Sequence, residues 1–369
     1  MKINIQASLF GLGLVVFYIS SFASLTTEGQ DSAAIVKYMA IVWIAANLVL
    51  TQRKKATDFV AFFGLIFFCL MTIIFTLLNL EGVKDVIVAS GYVVCALIFY
   101  LSSKNSKKIT LLTRMSLIIP GLVFLVINLF YIFDSTAYTI HKNQFTGFLS
   151  NANALAGLLG LFCVVFIVEF NGAQERKLKL LFLVAFGLCG FLLFLAGSRG
   201  AILSVFLVLI YLILKFKSGD KFLLFGVLLA IISITYYIAS ASQFSGADRD
   251  LFEESGRQGI FAAYMEKFSE NYFVLGTGVS QDAGRIKSEL SYFDILLFSG
   301  VGSIGFFLFL ISSLRQATRV KDEHLMWASA SFIYIFIISF FEGYAANIAS
   351  IPSLLFYLLP GIIYYNNKN

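Results

Sequence analysis

The sequence predicts an all-α, polytopic integral membrane protein with about 12 transmembrane helices. Composition is the first reason: the 369 residues are 59% hydrophobic and 13% charged, with a mean hydropathy of +0.88. The second reason is that apolar stretches of about 20 residues, the length that crosses a bilayer, alternate with short polar loops. The third is that basic residues are concentrated in every second loop. We therefore predict one polytopic membrane domain over residues 1–369.

Hydropathy places the individual helices. The first apolar stretch has no small-residue cleavage site, so we predict a retained helix rather than a signal peptide. Four cysteines lie inside apolar stretches without metal-ligand or CxxC spacing, which predicts core positions. The predicted helices are 4–25, 33–51, 58–80, 86–103, 109–133, 152–170, 179–197, 200–216, 222–241, 291–314, 325–345 and 351–365.

The distribution of charge predicts the orientation. The side opposite the basic clusters has two larger loops, 134–151 and 242–290. By the positive-inside rule the basic side and both termini are cytoplasmic, and the two larger loops lie outside. Because the basic residues are dispersed among loops, a nucleic-acid surface is not indicated. The basic clusters are at Lys2, 53–55, 104–108, 176–179, 215–221, 315–321 and Lys368.

The 242–290 loop is too long for a simple connector, and loops of this length are usually functional or disordered. Residues 256–273 have apolar residues at helical spacing after Arg257, which predicts a short amphipathic helix on the membrane surface. The glycines of Leu275-Gly276-Thr277-Gly278 then predict a sharp turn. The spaced apolar residues are Ile260, Phe261, Tyr264, Phe268 and Phe273.

Arg199 is the most informative single residue. It lies in Ala196-Gly197-Ser198-Arg199-Gly200, a short joint between two apolar stretches. A charged side chain at mid-bilayer costs roughly 2.5–3.5 kcal/mol, so we predict that Arg199 lies at the membrane–water boundary. A guanidinium there can bind the phosphate oxygens of a lipid-linked substrate bidentately. The alternative is an interfacial arginine that extends to lipid head groups.

Three ordered motifs resemble the bacterial O-antigen ligase/polymerase family, of the Wzy and WaaL type. The resemblance covers roughly residues 130–320. Ligases of this family have a histidine at the position of Ser291, so the chain is more similar to the Wzy-type repeat-unit polymerases. The motifs are Gly147 with Asn151, Asn153 and Ala156; Gly197-Ser198-Arg199-Gly200-Ala201; and Gly256-Arg257 followed by Gly276-Thr277-Gly278 and Gly302-Ser303-Ile304-Gly305.

The resemblance implies an inverting, metal-independent glycosyl transfer at the periplasmic face of the bacterial inner membrane. An undecaprenyl-pyrophosphate-linked glycan would be moved onto another lipid-linked repeat unit, building O-antigen or another surface polysaccharide. The implied partners are the lipid-linked oligosaccharide, the lipid bilayer and a chain-length regulator of the Wzz type, and no cofactor is expected.

Two alternatives remain open. One is a ligase of the same family that transfers the glycan to lipid A-core or to a protein. The other, from a different class, is a transporter or flippase, in which Lys37, Glu169 and Glu342 are intramembrane charges along a pathway.

Such a transfer needs a group that stabilises the departing pyrophosphate and a group that takes the acceptor's proton. Arg199 and Arg257 are candidates for the first role. We predict no metal site, because no convincing acidic pair stands in an outward loop. Candidate proton acceptors are Glu289, Asp294, Glu342 and His141, and further substrate-binding candidates are Asn151, Asn153, Arg249 and Arg285.

Several of these residues also have a plainer interpretation. Asn151 and Asn153 suit the cap of the helix that begins there. Arg257 could pair with a neighbouring glutamate, as surface arginines often do. His141 could be an ordinary loop residue.

Overall fold

The computed structural model describes residues 5–26, 30–50, 58–80, 82–104, 107–139, 144–216, 257–279, 290–346, 348 and 350–367. These residues are helical apart from turns and one isolated bridge between Tyr138 and Phe145. By length and composition, seven of the described stretches are apolar enough to cross a membrane, one of them being residues 291–318, whose helix is interrupted at Gly300. The described residues therefore confirm the all-α class, and their apolar helices support a membrane protein. The count of about 12 transmembrane helices stays a prediction, because the predicted helix 222–241 and about half of the 242–290 loop lie outside the described residues.

The described helices follow the predicted ones closely through the first two thirds of the chain. The first five are α1 (Ile5–Ala23), α2 (Gln30–Leu50), α3 (Phe59–Leu78), α4 (Val83–Ser102) and α5 (Lys107–Phe130). The next three are α6 (Ala152–Gly172), α7 (Arg176–Ala196) and α8 (Arg199–Lys215). The remaining ones are α9 (Arg257–Lys267), α10 (Ser291–Ser299), α11 (Ser303–Thr318), α12 (Met326–Ile338) and α13 (Ile351–Asn367).

Helix α6 forms the centre of the bundle. Its residues 155–169 are buried on every face, and it packs against α5, α7, α8 and α12. A helix that is apolar all round belongs in such an interior position. The outer helices instead expose large apolar side chains, for example Leu180, Val184 and Phe191 of α7. An apolar exterior of this kind suits contact with lipid.

Contacts between helix termini define two ends of the bundle. At one end, the Lys215 ammonium donates to the carbonyl of Thr318, and the Asn366 amide donates to the Thr110 hydroxyl. The termini near these contacts carry the basic clusters of the sequence. At the other end, the Ser150 amide donates to the Leu25 carbonyl at 2.9 Å. We call this second end the Arg199 end, because the α7–α8 joint lies there.

The predicted helix over residues 325–345 is wrong in its length, because α12 ends at Ile338. The amides of Phe341 and Glu342 both donate to the Ile338 carbonyl, at 2.8 and 2.9 Å, and close the helix. With 13 residues, α12 rises only about 20 Å, short of a bilayer core of about 30 Å. Glu342 therefore lies in the connection between α12 and α13, whose described residues 339–346, 348 and 350 are non-helical and which we call the sunken turn.

The sunken turn lies deep between its neighbours. The Tyr92 hydroxyl, from the middle of α4, donates to the Ala346 carbonyl at 2.6 Å. Ala345, Ala346 and Ile348 are buried. Non-helical backbone at this depth is tolerated in a membrane protein only where protein buries it or water fills a cavity.

The predicted helix 291–314 is also corrected, because residues 291–318 form two helices that fold back on each other. The Tyr292 ring lies 6.4 Å from the rings of Phe306 and Phe307. A continuous helix would place residues 292 and 306 about 21 Å apart. The reversal occurs at the turn Gly300–Gly302, where Gly300 has a φ of +50°. Helix α10 is thus a half-helix that brings Ser291 to the sunken turn.

Glu169, a candidate pathway charge in the transporter alternative, forms a partly buried ion pair with Arg114. Its two carboxylate oxygens accept from Nε and Nη2 of Arg114, each at 2.6 Å. This bidentate geometry is the strong form of an arginine–carboxylate contact. The pair joins α5 to α6, so Glu169 has a structural role there.

We expect Glu169→Ala to lower the free energy of unfolding by about 1.5–3 kcal/mol, because the partly exposed Arg114 guanidinium would lose its charge-assisted hydrogen bonds. Thermal unfolding of the detergent-purified protein should show the loss as a fall in Tm of several degrees. The control is Glu270→Ala, which breaks the exposed Lys267–Glu270 pair and should cost less than about 1 kcal/mol. Equal melting temperatures for the two variants would contradict the prediction.

Candidate functional site

The joint between α7 and α8 is formed as the sequence predicted. Helix α7 ends at Ala196, and Gly197 has a φ of +66°, a conformation that glycine adopts without steric cost. Arg199 is the first residue of α8, and its side chain is half-buried. The first amides of a helix and its dipole favour a negative charge. An anion at this position would therefore be attracted both by the Arg199 guanidinium and by the N-terminus of α8.

The sunken turn packs directly against this joint. A Cβ added to Gly200 would lie 2.6 Å from the Cβ of Phe341, so only glycine permits the observed approach. Gly200 follows Arg199, and Phe341 precedes Glu342. Arg199 and Glu342 are therefore the immediate chain neighbours of the two residues that make this contact. Two predicted site residues that are far apart in the sequence thus flank one backbone contact.

The start of α10 contacts the same turn through Ser291. The Ser291 hydroxyl donates to the carbonyl of Glu342 at 2.8 Å. It also accepts from the amides of Ala345 and Ala346, at 2.9 and 3.4 Å. Ser291 has no exposed surface. The residue that the sequence singled out only for not being a histidine thus organises the backbone around Glu342.

The start of α6 meets the turn as well. Asn151 is the N-cap of α6, and its Oδ1 accepts from the amides of Asn153 and Ala154 at 2.8 and 3.2 Å. The capping interpretation of Asn151 is therefore confirmed. The Tyr344 hydroxyl, from the sunken turn, donates to the Asn153 carbonyl at 3.3 Å. The N-termini of α6, α8 and α10 thus all converge on the sunken turn.

Asp294 has a partner of its own. The Tyr264 hydroxyl of α9 donates to Asp294 Oδ1 at 2.6 Å, and both residues are buried. The Tyr264 ring also lies 5.5 Å from the Phe293 ring. A short amphipathic helix on the membrane surface was predicted in residues 256–273, and α9 confirms a helix there, whereas its position on the membrane surface stays a prediction. It docks on α10 through Tyr264, which sequence reasoning had treated only as one of several spaced apolar residues.

For the remaining predicted site residues, the structure gives little or no information about their surroundings. Arg257 is the first residue of α9. Outside the described residues lie His141, Arg249, Arg285 and Glu289.

Sequence reasoning missed the sunken turn and with it Tyr344. The available signal was the run of small and polar residues after Phe341, Glu-Gly-Tyr-Ala-Ala-Asn-Ile-Ala-Ser, between two strongly apolar stretches.

The described part of the 134–151 loop is held by local hydrogen bonds. The Thr136 hydroxyl and amide both donate to Asp134, and they lower the pKa of that carboxyl group. Burial raises the pKa of Tyr138, whose strand-like contact with Phe145 closes the loop. Phe145 in turn donates its amide to the Leu195 carbonyl at 3.1 Å. The loop is therefore attached to the last turn of α7, beside the joint.

An apolar cavity of about 290 Å³ lies between α2 and α4. Ile348 of the sunken turn forms part of its wall, next to Gly91 of α4. The exposed side chains of Val42 and Ile87 stand beside it on the apolar exterior. The cavity is lined by Tyr38, Ile41, Val42, Val83, Val86, Ile87, Ser90, Gly91, Val94 and Ile348.

Within the part of the chain that the structure describes, no group of three His, Cys, Asp or Glu residues could hold a metal ion. The four cysteines are buried and form no disulfide. Neither a family model nor a curated protein matches this chain. The resemblance to the ligase/polymerase family therefore still depends on the motifs alone.

We expect Gly200→Ala to lower the melting temperature, because the added methyl group would push Phe341 and the sunken turn away from α8. A matched control is Gly190→Ala in α7, where an added Cβ meets nothing within 4 Å. That change should stabilise the helix by about 0.5–1 kcal/mol. Thermal unfolding of both purified variants measures the difference, and a Gly200→Ala protein as stable as Gly190→Ala would contradict the packing argument.

Proposed function

We propose that this protein is a glycosyltransferase-type polymerase of surface-polysaccharide repeat units. It would transfer an undecaprenyl-pyrophosphate-linked glycan onto another lipid-linked repeat unit at the periplasmic face of the bacterial inner membrane. The observation that supports this most is the contact between Gly200 and Phe341, which are the chain neighbours of Arg199 and Glu342. A cation and a carboxylate in adjoining elements are the two groups that the reaction requires.

The lipid pyrophosphate is the leaving group in this proposal. Arg199 would bind its oxygens with the planar guanidinium and neutralise the charge that grows as the glycosidic C–O bond breaks. The helix N-termini that meet at the sunken turn add to this effect, because their dipoles favour a negative charge nearby. Arg257 at the start of α9 would be a second phosphate ligand, and Arg249 and Arg285 are further candidates.

The acceptor hydroxyl must lose a proton as its oxygen forms the new glycosidic bond. Glu342 is our choice for the base, because the residue is only 7% exposed and belongs to the element that contacts the joint beside Arg199. Asp294 is less suitable, because one carboxylate oxygen already accepts the Tyr264 hydroxyl. The proton would move from the acceptor oxygen to Glu342, while the bonding electrons of the broken C–O bond leave with the pyrophosphate.

The lipid chain of the substrate needs an apolar path that is continuous with the polar site. The cavity between α2 and α4 is suitable, because its walls are apolar and Ile348 belongs to the same sunken turn as Glu342. We propose that one polyprenyl chain lies there. The family resemblance also implies a chain-length regulator as a partner of the protein. The ligase of the same family remains an alternative to the polymerase.

Interrupted helices give specific support to a second candidate, a transporter or flippase. Transporters often bind substrates at half-helices near the middle of the membrane, and both α10 and the sunken turn resemble that arrangement. The polymerase and the transporter can be distinguished by whether their activity requires a sealed membrane. A polymerase should extend lipid-linked repeats in detergent solution, in excess chelator, whereas a transporter needs two compartments. If the purified protein makes no polymer from lipid-linked repeats in detergent, the transporter is favoured.

Orientation is tested by fusing reporters to the protein truncated after Glu270 or after Lys177. A phosphatase that is active only after export should be active when fused after Glu270 and inactive when fused after Lys177. A cytoplasmic fluorescent reporter should show the reverse. If the phosphatase is active after Lys177 instead, the Arg199 end faces the cytoplasm and the proposed site has no access to periplasmic substrate.

Arg199→Ala should reduce polymer formation on the order of a hundredfold, the usual effect of removing a group that stabilises the transition state. Arg199→Lys should also be strongly impaired, because it keeps the charge but loses the planar fork. The measurement is the chain-length distribution made by purified protein from lipid-linked repeats. Arg176→Ala, an exposed arginine at the opposite end, is the control and should behave as wild type. Normal polymer from Arg199→Ala would exclude the assigned role.

A further inference from the structure

Ser291 differs from other buried serines of the bundle in where its hydroxyl bonds. Ser204 and Ser299 each donate to the carbonyl four residues earlier in their own helix. Ser291 is the first residue of α10, so it has no earlier turn of helix to bond. Its hydroxyl crosses instead to the sunken turn, and it bonds both ends of the segment from Glu342 to Ala346.

These bonds fix the peptide of Glu342 itself. Two backbone bonds also hold residue 342, because its amide donates to the Ile338 carbonyl and its carbonyl accepts from the Tyr344 amide, both at 2.9 Å. The tyrosine side chains act further along the turn: Tyr92 donates to the Ala346 carbonyl, and Tyr357 donates to the Ala345 carbonyl at 3.4 Å. Ser291 adds a side-chain bond to the Glu342 carbonyl from another helix, so the direction in which the Glu342 side chain leaves the backbone depends in part on Ser291.

Helix α10 is a firm support for this contact. The Tyr292 hydroxyl, next in sequence, donates to the Phe336 carbonyl of α12 at 2.8 Å. One turn later, Asp294 accepts from Tyr264 of α9. Because α10 is bonded to elements on two sides, Ser291 holds a defined position relative to α12 and the turn that follows it. Reacting groups stay in a productive geometry when neighbouring residues hold them by packing and hydrogen bonds.

We propose that Ser291 is a positioning residue that orients the Glu342 carboxylate toward the acceptor hydroxyl. This inference deepens the proposed function and depends on it. Ser291 does not contact the reacting atoms in this assignment; it acts through Glu342. A base that is displaced by about 1 Å can lose on the order of a hundredfold in rate while the substrate still binds.

The test compares Ser291→Ala with Ser299→Ala in the full-length, detergent-purified protein, using lipid-linked repeats as substrate. Ser299 is on the same half-helix and equally buried, but its hydroxyl bonds within the helix. Ser291→Ala should lower kcat on the order of tenfold to a hundredfold with KM nearly unchanged. Ser299→Ala should leave both constants near wild type. Ser291→Cys keeps the size of the side chain and should fall between Ser291→Ala and wild type.

A double-mutant cycle separates positioning from general damage to the fold. Glu342→Asp already displaces the carboxylate, so adding Ser291→Ala to it should lower kcat less than about threefold. The same large loss in both backgrounds would overturn the proposal, as would an unchanged kcat for Ser291→Ala, or a rise in KM that accounts for the whole loss. If Ser291→Ala does not fold, the cycle is run with Ser291→Cys.

The controls also separate this inference from the proposed function. Wild-type protein that makes no polymer from lipid-linked repeats would refute the polymerase assignment. Active wild type with an unimpaired Ser291→Ala variant would refute only the positioning role.

Discussion

The sunken turn depends on one constraint: backbone polar groups away from water must be hydrogen-bonded within the protein. The described residues of the sunken turn are not in a helix, so the carbonyls and amides that find no partner in the turn or in the end of α12 need one from another element. Tyrosine and serine hydroxyls supply several of them, from Tyr92 of α4, Tyr357 of α13 and Ser291 of α10. The neighbouring helices must therefore present hydroxyl groups at defined depths. The position of α10, the length of α12 and the surroundings of Glu342 all follow from that requirement.

Close approach is the second requirement, and glycine meets it on three different helices. Ile348 packs at Gly91 of α4, Tyr344 at Gly157 of α6 and Phe341 at Gly200 of α8. Small residues are the usual means by which membrane helices come near each other. Here they admit a non-helical segment instead of another helix. The sunken turn is consequently enclosed on three sides, and the same contacts bring Glu342 beside the α7–α8 joint.

The sequence predicted the features that hydropathy and glycine determine locally. The sequence predicted the bounds of α6, α7 and α8 and the break at Gly197 to within a few residues. The lengths of the apolar stretches and the glycine between two of them can be read without tertiary information. The end of α12 was not predicted, since Phe340 and Phe341 continue the apolar stretch after the helix has ended. The reversal between α10 and α11 was also missed. It is defined by the contact of Tyr292 with Phe306, and a hydropathy average cannot distinguish one long helix from two short ones.

The two acidic candidates acquire different roles from their surroundings. Asp294 accepts a phenol from α9, so it links the described part of the long loop to α10. Three residues earlier, Ser291 links α10 to the turn that contains Glu342. Since α10 has only nine residues, the two bonds are separated by a single helical turn of stiff backbone. A displacement of α9 at Tyr264 must therefore move α10, or break its bond to Asp294. While that bond holds, the loop helix and the backbone of Glu342 are mechanically connected through one short half-helix.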